Sequence, residues 1–202
     1  MANVHLKLVT PTGEIPTVTP RRRKNAEYRT REHLTEAEVE KLIEVASSHR
    51  DATMVLLAFR HGLRASELVD LRWDQVDFTL GVLHVRRAKA GTPATHPLTG
   101  RELRALRRLL REVGPSTHLF MSERKAPISV DGFQKMVERL STKANLGFQA
   151  HCHQLRHACG FKMANDGVDT RTIQAYLGHK DIRHTVRYTE LSPVRFKGLW
   201  KD

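Results

Sequence analysis

The second half of the sequence holds the motifs that decide the fold, which read His153-Gln154-Leu155-Arg156-His157, Leu177-Gly178-His179 and Thr185-Val186-Arg187-Tyr188-Thr189. An earlier motif shares their character and reads His61-Gly62-Leu63-Arg64-Ala65-Ser66-Glu67-Leu68. The motifs share arginines and histidines, and the last of them also holds a tyrosine. Each motif taken alone is a weak signal. Their side chains are therefore the first candidates for a functional site.

The chemistry of these side chains suits the attack of an oxygen atom on a phosphodiester. Such an attack places extra negative charge on the non-bridging oxygens, which fixed cations can stabilise without a metal. The guanidinium groups of Arg64 and Arg156 can each donate two hydrogen bonds to a phosphate, so both are predicted phosphate ligands. A phenol is mostly protonated at neutral pH, so Tyr188 as a nucleophile needs a proton acceptor, for which His153 and His179 are suited.

Two further side chains of the motifs are interpreted as supporting groups. Glu67 lies one helical turn after Arg64 and is predicted to orient that arginine or a histidine. His157 lies one turn after His153 and is interpreted as a packing or supporting histidine.

In their order and spacing, the motifs resemble the tyrosine recombinase (phage integrase) family, from about residue 34 to residue 200. The segments 155–161, 176–179 and 182–189 look like the short recombinases that invert a promoter segment in fimbrial phase variation. The resemblance implies a site-specific DNA recombinase that cleaves and rejoins strands through a covalent 3′-phosphotyrosyl intermediate. It also implies that Lys89, on a β-hairpin, donates a proton to the departing 5′ oxygen.

Two other functions stay open on the sequence alone. A type IB topoisomerase uses similar chemistry to relax one duplex, and a non-catalytic DNA-binding protein could share the same fold. Tyr28 and Tyr176 are rival nucleophiles. Tyr28 lies in a basic arm, whereas Tyr176 lies beside Ile173 and Leu177 in an amphipathic helix, which favours a place in or near the core.

The hydrophobic pattern predicts a mainly α fold with a small antiparallel β-sheet (α+β). The resemblance implies that this is the tyrosine recombinase catalytic-domain fold. A period of two over 82–87, a turn at 89–93 and a return strand over 94–98 predict the hairpin that bears Lys89. Capping residues and a helical period predict helices at about 35–48, 54–62, 65–73, 100–112, 129–144, 153–165, 169–177, 181–190 and 193–200.

The charge of the chain points to nucleic acid as its partner. The 202 residues include 34 Lys and Arg against 22 Asp and Glu, a formal charge of +12. Residues 1–33 are predicted to form a basic, loosely ordered arm, and residues 34–202 the catalytic domain. We expect the following residues of the arm to enter a DNA groove: Arg21, Arg22, Arg23 and Lys24.

Several classes of function lack their signatures in this sequence. It contains no GxxxxGK[ST], GxGxxG, HExxH or GxSxG motif, which argues against nucleotide hydrolysis, dinucleotide chemistry, zinc proteolysis and serine hydrolysis. No metal and no cofactor are predicted. The expected partners are double-stranded DNA and DNA-bending accessory proteins, and the expected assembly is a homo-tetramer on synapsed sites. No membrane is expected, and the expected location is the cytoplasm, in association with the nucleoid. A C-terminal helix at about 192–202 has an apolar face that could dock within the chain, whereas the resemblance implies docking on a neighbouring protomer.

Overall fold

The structure is a computed structural model that describes residues 32–88, 92–190 and 192. Within these residues it is mostly helical with one small antiparallel sheet, so the predicted α+β class is confirmed. The helices are α1 (Glu36–Glu44), α2 (His49–Arg60), α3 (Ala65–Val69), α4 (Gly100–Val113), α5 (Val130–Lys143), α6 (Cys152–Asn165), α7 (Thr170–Leu177) and α8 (Arg183–Glu190). The strands are β1 (Val76–Asp77), β2 (Val82–Val85) and β3 (Ala94–Pro97).

Helix α2 forms the centre of the core. Every residue from Thr53 to Phe59 is buried, because α1, α4 and α6 all pack around this helix. Helices with apolar residues on all sides take such central positions, whereas a surface helix has one apolar face. The helix begins where the Ser48 hydroxyl accepts a hydrogen bond from the backbone N–H of Asp51.

The turn after α2 brings two of the motifs together. Gly62 has a φ of +55°, and a Cβ at this position would lie 2.3 Å from Cδ2 of Leu177. A glycine therefore allows the loop that leads to Arg64 to lie directly against the end of α7.

The segment after α3 differs from the prediction. Helix α3 ends at Val69, whereas the helical pattern predicted an end near Trp73. The backbone N–H of Trp73 bonds to the carbonyl of Thr117, and Leu71 accepts from the N–H of Leu119. These long-range bonds draw the chain out of the helix, and residues 73–75 form only a 3-10 turn.

The sheet has the order β1-β2-β3 with antiparallel neighbours. The predicted hairpin is present, since Leu83 pairs with His96 and Val85 with Ala94. Strand β1 was missed because two residues are too few to display a period of two.

Most of the other boundaries lie close to the predicted ones. Helices α1 and α2 are the exceptions. Helix α1 ends at Glu44 rather than near residue 48, and α2 begins at His49 rather than near residue 54, because Ser48 caps α2. The predicted helix at 193–200 lies outside the described residues. None of the described helices is both long and apolar enough to cross a membrane.

Candidate active site

The fold gathers five of the six predicted catalytic residues around the ends of α3, α6, α7 and α8. These five are Arg64, His153, Arg156, His179 and Tyr188. The sixth, Lys89, lies outside the described residues, as do Arg21 to Lys24 of the arm. The described part of the chain holds no group of three or more side chains that could bind a metal ion.

The carboxylate of Glu67 is the centre of the site, with 1% of its side chain exposed. Arg64 donates to it from Nη1 at 2.6 Å and from its backbone N–H at 2.9 Å. Nη1 of Arg87 donates at 2.9 Å, the N–H of Ala88 at 3.0 Å, and Nη1 of Arg156 lies 3.8 Å away. Glu67 was predicted to orient Arg64 or a histidine, and it contacts Arg64. It also bonds to Arg87, which no motif identified.

The electrostatics of Glu67 reflect this setting. Burial alone would raise the pKa of its carboxyl, but hydrogen bonds from Arg64 and Ala88 and the charge of Arg87 hold that pKa below its usual value. Glu67 is therefore ionised at neutral pH and compensates part of the positive charge around it.

Arg156 connects the loop before α3 to the end of α7. Its guanidinium is buried and donates to the backbone carbonyls of Gly62 and Leu177, the latter at 2.7 Å. Burial lowers the pKa of Arg156 to about 10, with further lowering from the charges of Arg64 and Arg87, so the side chain stays charged at neutral pH. Arg64 differs from it because 27% of its side chain is exposed to solvent.

Arg87 is a site residue that the motifs did not identify. Its side chain is fully buried, and it donates to Glu67 and to the backbone carbonyl of Tyr176. The stem of Arg87 lies against Gly178, where an added Cβ would approach its Cγ to 2.8 Å. Arg87 thereby connects the end of the β-hairpin to the loop that bears His179.

The sequence did contain a signal for this burial. The strand pattern places Leu83 and Val85 on the inner face, and the same period of two puts Arg87 there as well. Arg86 belongs to the outer face and pairs with the exposed Asp74.

Tyr188 lies on α8 with only 1% of its surface exposed. Its hydroxyl is 2.9 Å from Nδ1 of His157, and its ring packs edge-on against Phe161. Burial raises the pKa of the phenol, while the charges of Arg156 and Arg187 offset part of that increase. His157, interpreted from the sequence as a packing or supporting histidine, thus contacts the predicted nucleophile directly.

The two predicted catalytic histidines have different surroundings. The ring of His179 is nearly parallel to that of Tyr188, with the two ring centroids 6.2 Å apart, and its Nδ1 lies 2.8 Å from the hydroxyl of Thr185. Burial lowers the pKa of His179 to about 3, and the charge of Arg156 lowers it further, so this histidine is neutral. His153 is exposed, and its ring meets that of His157 edge-on at 4.4 Å.

A second buried polar cluster lies behind Arg87. Nδ1 of His61 is 3.2 Å from Nδ1 of His96, and Nε2 of His61 is 2.8 Å from Glu102. His96 stacks on the ring of Tyr176 at 3.8 Å. The hydroxyl of Tyr176 donates to the backbone carbonyl of residue 60, and the side chain is partly buried against the core, as the helical pattern predicted.

Comparison with known proteins assigns the chain to a class. Residues 32–195 match the model of the phage integrase family. The chain is 39% identical over 181 residues to the type 1 fimbriae regulatory protein FimE of Escherichia coli K12, covering 85% of this chain and 91% of FimE. It is 36% identical over 170 residues to the tyrosine recombinase XerA of Pyrococcus furiosus, covering 81% of this chain and 59% of XerA.

A solved structure has the same fold. The XerH site-specific recombinase, bound to palindromic difH substrate, has a TM-score of 0.71 and 21% identity to this chain, covering 91% of this chain and 57% of XerH. The chain thus spans less than two thirds of the XerA and XerH proteins that it matches. Its fold is that of a tyrosine recombinase catalytic domain. The chain belongs to the phage integrase family.

The role of Glu67 as the buried counter-ion predicts a pH dependence. Replacing it by Gln should lower the free energy of unfolding by about 3 kcal/mol at pH 7, because buried arginines lose their ionic partner. The folded-state pKa of Glu67 is depressed, so its contribution is complete above the unfolded value of about 4.3 and is lost as the pH falls through the folded value. Urea unfolding of Glu67→Gln from pH 3 to 7 measures this difference.

The exposed Glu123 provides the control for that measurement, since Glu123→Gln should change the free energy of unfolding by less than about 0.5 kcal/mol. An identical deficit for Glu67→Gln at pH 3 and pH 7 would contradict the assignment.

The close contact between α6 and α8 predicts that Gly160→Ala is destabilising. A Cβ at residue 160 would lie 2.6 Å from Cε2 of Tyr188, and a buried ring cannot yield, so α8 must shift. We expect a loss of about 1 to 3 kcal/mol in urea unfolding, although alanine is the better helix former. Gly132→Ala, whose Cβ would have its nearest neighbour at 3.3 Å, is the matched control. Equal stability of the two variants would refute the tight packing of Tyr188.

Proposed function

We propose that the chain is a site-specific recombinase that cleaves and rejoins DNA strands through a covalent bond between Tyr188 and a 3′ phosphate. The observation that carries the proposal is the arrangement around Tyr188. Its hydroxyl bonds to the neutral His157 and its phenol feels the charge of Arg156, a predicted phosphate ligand that shares the carboxylate of Glu67 with Arg64. Each of these groups has a task in transferring a phosphoryl group without a metal.

The arginines stabilise the charge that develops on the phosphate. Arg64 is the partly exposed one, and the hydrogen bond from its Nη1 to Glu67 orients its guanidinium. A donor that is already oriented needs no reorganisation when the charge develops, which is the main advantage of such sites. The charge of Arg156 also favours the phenolate form of Tyr188.

Rejoining follows from the chemistry of the intermediate. A phosphotyrosyl bond retains the free energy of the phosphodiester, so the 5′ hydroxyl of another strand can attack it without ATP. Lys89 remains the proposed proton donor to the departing 5′ oxygen, on the basis of the family resemblance alone.

The net charge of the chain and the names of its relatives both support DNA as the proposed substrate. The formal charge of +12 favours a polyanion, XerA is a tyrosine recombinase, and XerH was solved with its difH substrate. The resemblance of the motifs to the short recombinases that invert a promoter segment supports inversion of a DNA segment as the outcome.

Capture of covalent adducts tests this function and identifies the target site in the same experiment. Purified protein is incubated with fragmented genomic DNA of the source organism, denatured, and the DNA that stays attached is sequenced. Wild type should retain fragments that share one short sequence, and Tyr188→Phe should retain none, because the phenol oxygen forms the bond. Retention by the Phe variant, or none by wild type, would refute the proposal.

The assembly on DNA is a further part of the proposal. We propose a homo-tetramer on two synapsed sites, assisted by DNA-bending proteins, and action at the nucleoid. Arg21 to Lys24 would contact a DNA groove, and residues 192–202 would dock on the neighbouring protomer. Apart from Ser192, both segments lie outside the described residues.

Two truncations separate the proposed tasks of the arm and the tail. Removal of residues 1–31 should weaken DNA binding and flatten its salt dependence, by about 0.9 in log–log slope for each lost phosphate contact. Removal of residues 192–202 should abolish recombination between two sites and leave binding to a single site intact. Gel-shift titrations at several salt concentrations and a recombination assay measure both effects. An unchanged salt slope, or unchanged recombination, would contradict the respective assignment.

A further inference from the structure

We propose that His157 is the base that takes the proton from Tyr188 when the phenol attacks the phosphate. The inference rests on the proposed function, because it concerns the first step of strand cleavage. It assigns a catalytic task to a side chain that the motifs alone present as packing.

The geometry of the pair carries this inference. Nδ1 of His157 lies 2.9 Å from the hydroxyl oxygen of Tyr188, within the range in which a base can remove a proton directly. The direction of the phenol is fixed, since Gly160 and Phe161 pack against the ring. The hydroxyl therefore meets His157 as a consequence of how α6 and α8 pack together.

The other two histidines are less well placed for this task. Nδ1 of His179 faces the hydroxyl of Thr185 at 2.8 Å, and its ring lies nearly parallel to that of Tyr188. Nδ1 of His179 is therefore engaged with Thr185 rather than with the phenol. His153 is exposed, and its ring approaches His157 edge-on.

The environment of His157 keeps it in the form that accepts a proton. Burial lowers its pKa to about 3, and neighbouring positive charge lowers it further. The titratable and charged groups that face it are His151, His153 and Arg156 of α6 with its cap, and Arg187 and Tyr188 of α8. A neutral imidazole with its proton on Nε2 has a free lone pair on Nδ1, which can accept from the phenol.

The step balances in both directions. The O–H bond of Tyr188 breaks and its proton moves to Nδ1 of His157, while the phenol oxygen bonds to phosphorus. The bond from phosphorus to the 5′ oxygen breaks, and that oxygen takes a proton from the proposed donor Lys89. In rejoining, the 5′ hydroxyl returns a proton to Lys89 as it attacks, and His157 returns its proton to the tyrosine oxygen.

The variant His157→Asn separates catalysis from structure. The Oδ1 atom of asparagine lies near the position of Nδ1, so it can still accept a hydrogen bond from Tyr188, but it takes up no proton near neutral pH. The measured quantity is the single-turnover rate of covalent adduct formation, with saturating protein, on a nicked duplex that carries the captured sequence, from pH 6 to 9.

We expect the Asn variant to react at least about 100-fold more slowly than wild type at pH 7, the usual contribution of a positioned base. Without a base, the reaction requires phenolate, whose fraction rises tenfold per pH unit below the phenol pKa. The rate of the variant should therefore rise with pH and approach that of wild type, which should change little. Such a convergence also reports that the variant is folded.

His118→Asn is the matched control, because His118 is also half-buried but contacts Asp70, and it should react like wild type. A wild-type rate for His157→Asn, or a deficit of the same factor at every pH, would overturn the assignment. In the free protein, Tyr188→Phe should shift the Nδ1 resonance of His157 in a ¹⁵N spectrum, and the absence of a shift would also overturn it. If wild type forms no adduct with any DNA, the proposed function fails first, and His157 has no such step to catalyse.

Discussion

The buried carboxylate of Glu67 is the interaction on which the site depends. Three guanidinium groups lie within 4 Å of it, and at such distances unpaired like charges repel strongly in a medium of low dielectric constant. One carboxylate makes their proximity possible without cancelling their charge. The described cluster retains an excess of positive charge, which a phosphodiester can compensate. Neutral backbone carbonyls hold Arg156, so this arginine is positioned at no further loss of charge.

Close packing at three glycines positions the tyrosine relative to this cluster. Gly62 lets the loop before Arg64 lie against the end of α7, and Gly178 accommodates the stem of Arg87. Gly160 lets α6 lie directly under the ring of Tyr188. Three glycines thus set the separations between the helices that bear the arginines, the histidines and the nucleophile. Larger side chains at these positions would push those helices apart.

Local patterns account for what the sequence could predict. Capping residues, helical periods and the hairpin turn depend on neighbours along the chain, so most boundaries and the class of fold were predictable. The three-residue spacing of Arg64 and Glu67 made their contact predictable as well. The end of α3 and the bond between His157 and Tyr188 depend on tertiary packing, which a local pattern does not contain. The burial of Arg87 lies between these cases, since the strand period extends to it. Lys89 and the basic arm remain predictions.

The most direct test of a tyrosine nucleophile supported by the arginine cluster is the position of the nucleotide that remains on the protein. After the captured adduct is digested with nuclease and trypsin, mass spectrometry can locate it, because Tyr28, Tyr176 and Tyr188 fall in three different tryptic peptides. The account predicts a nucleotide on the peptide that begins at Tyr188 and on no other. A nucleotide on either of the other two tyrosine peptides, or on a peptide without tyrosine, would contradict it.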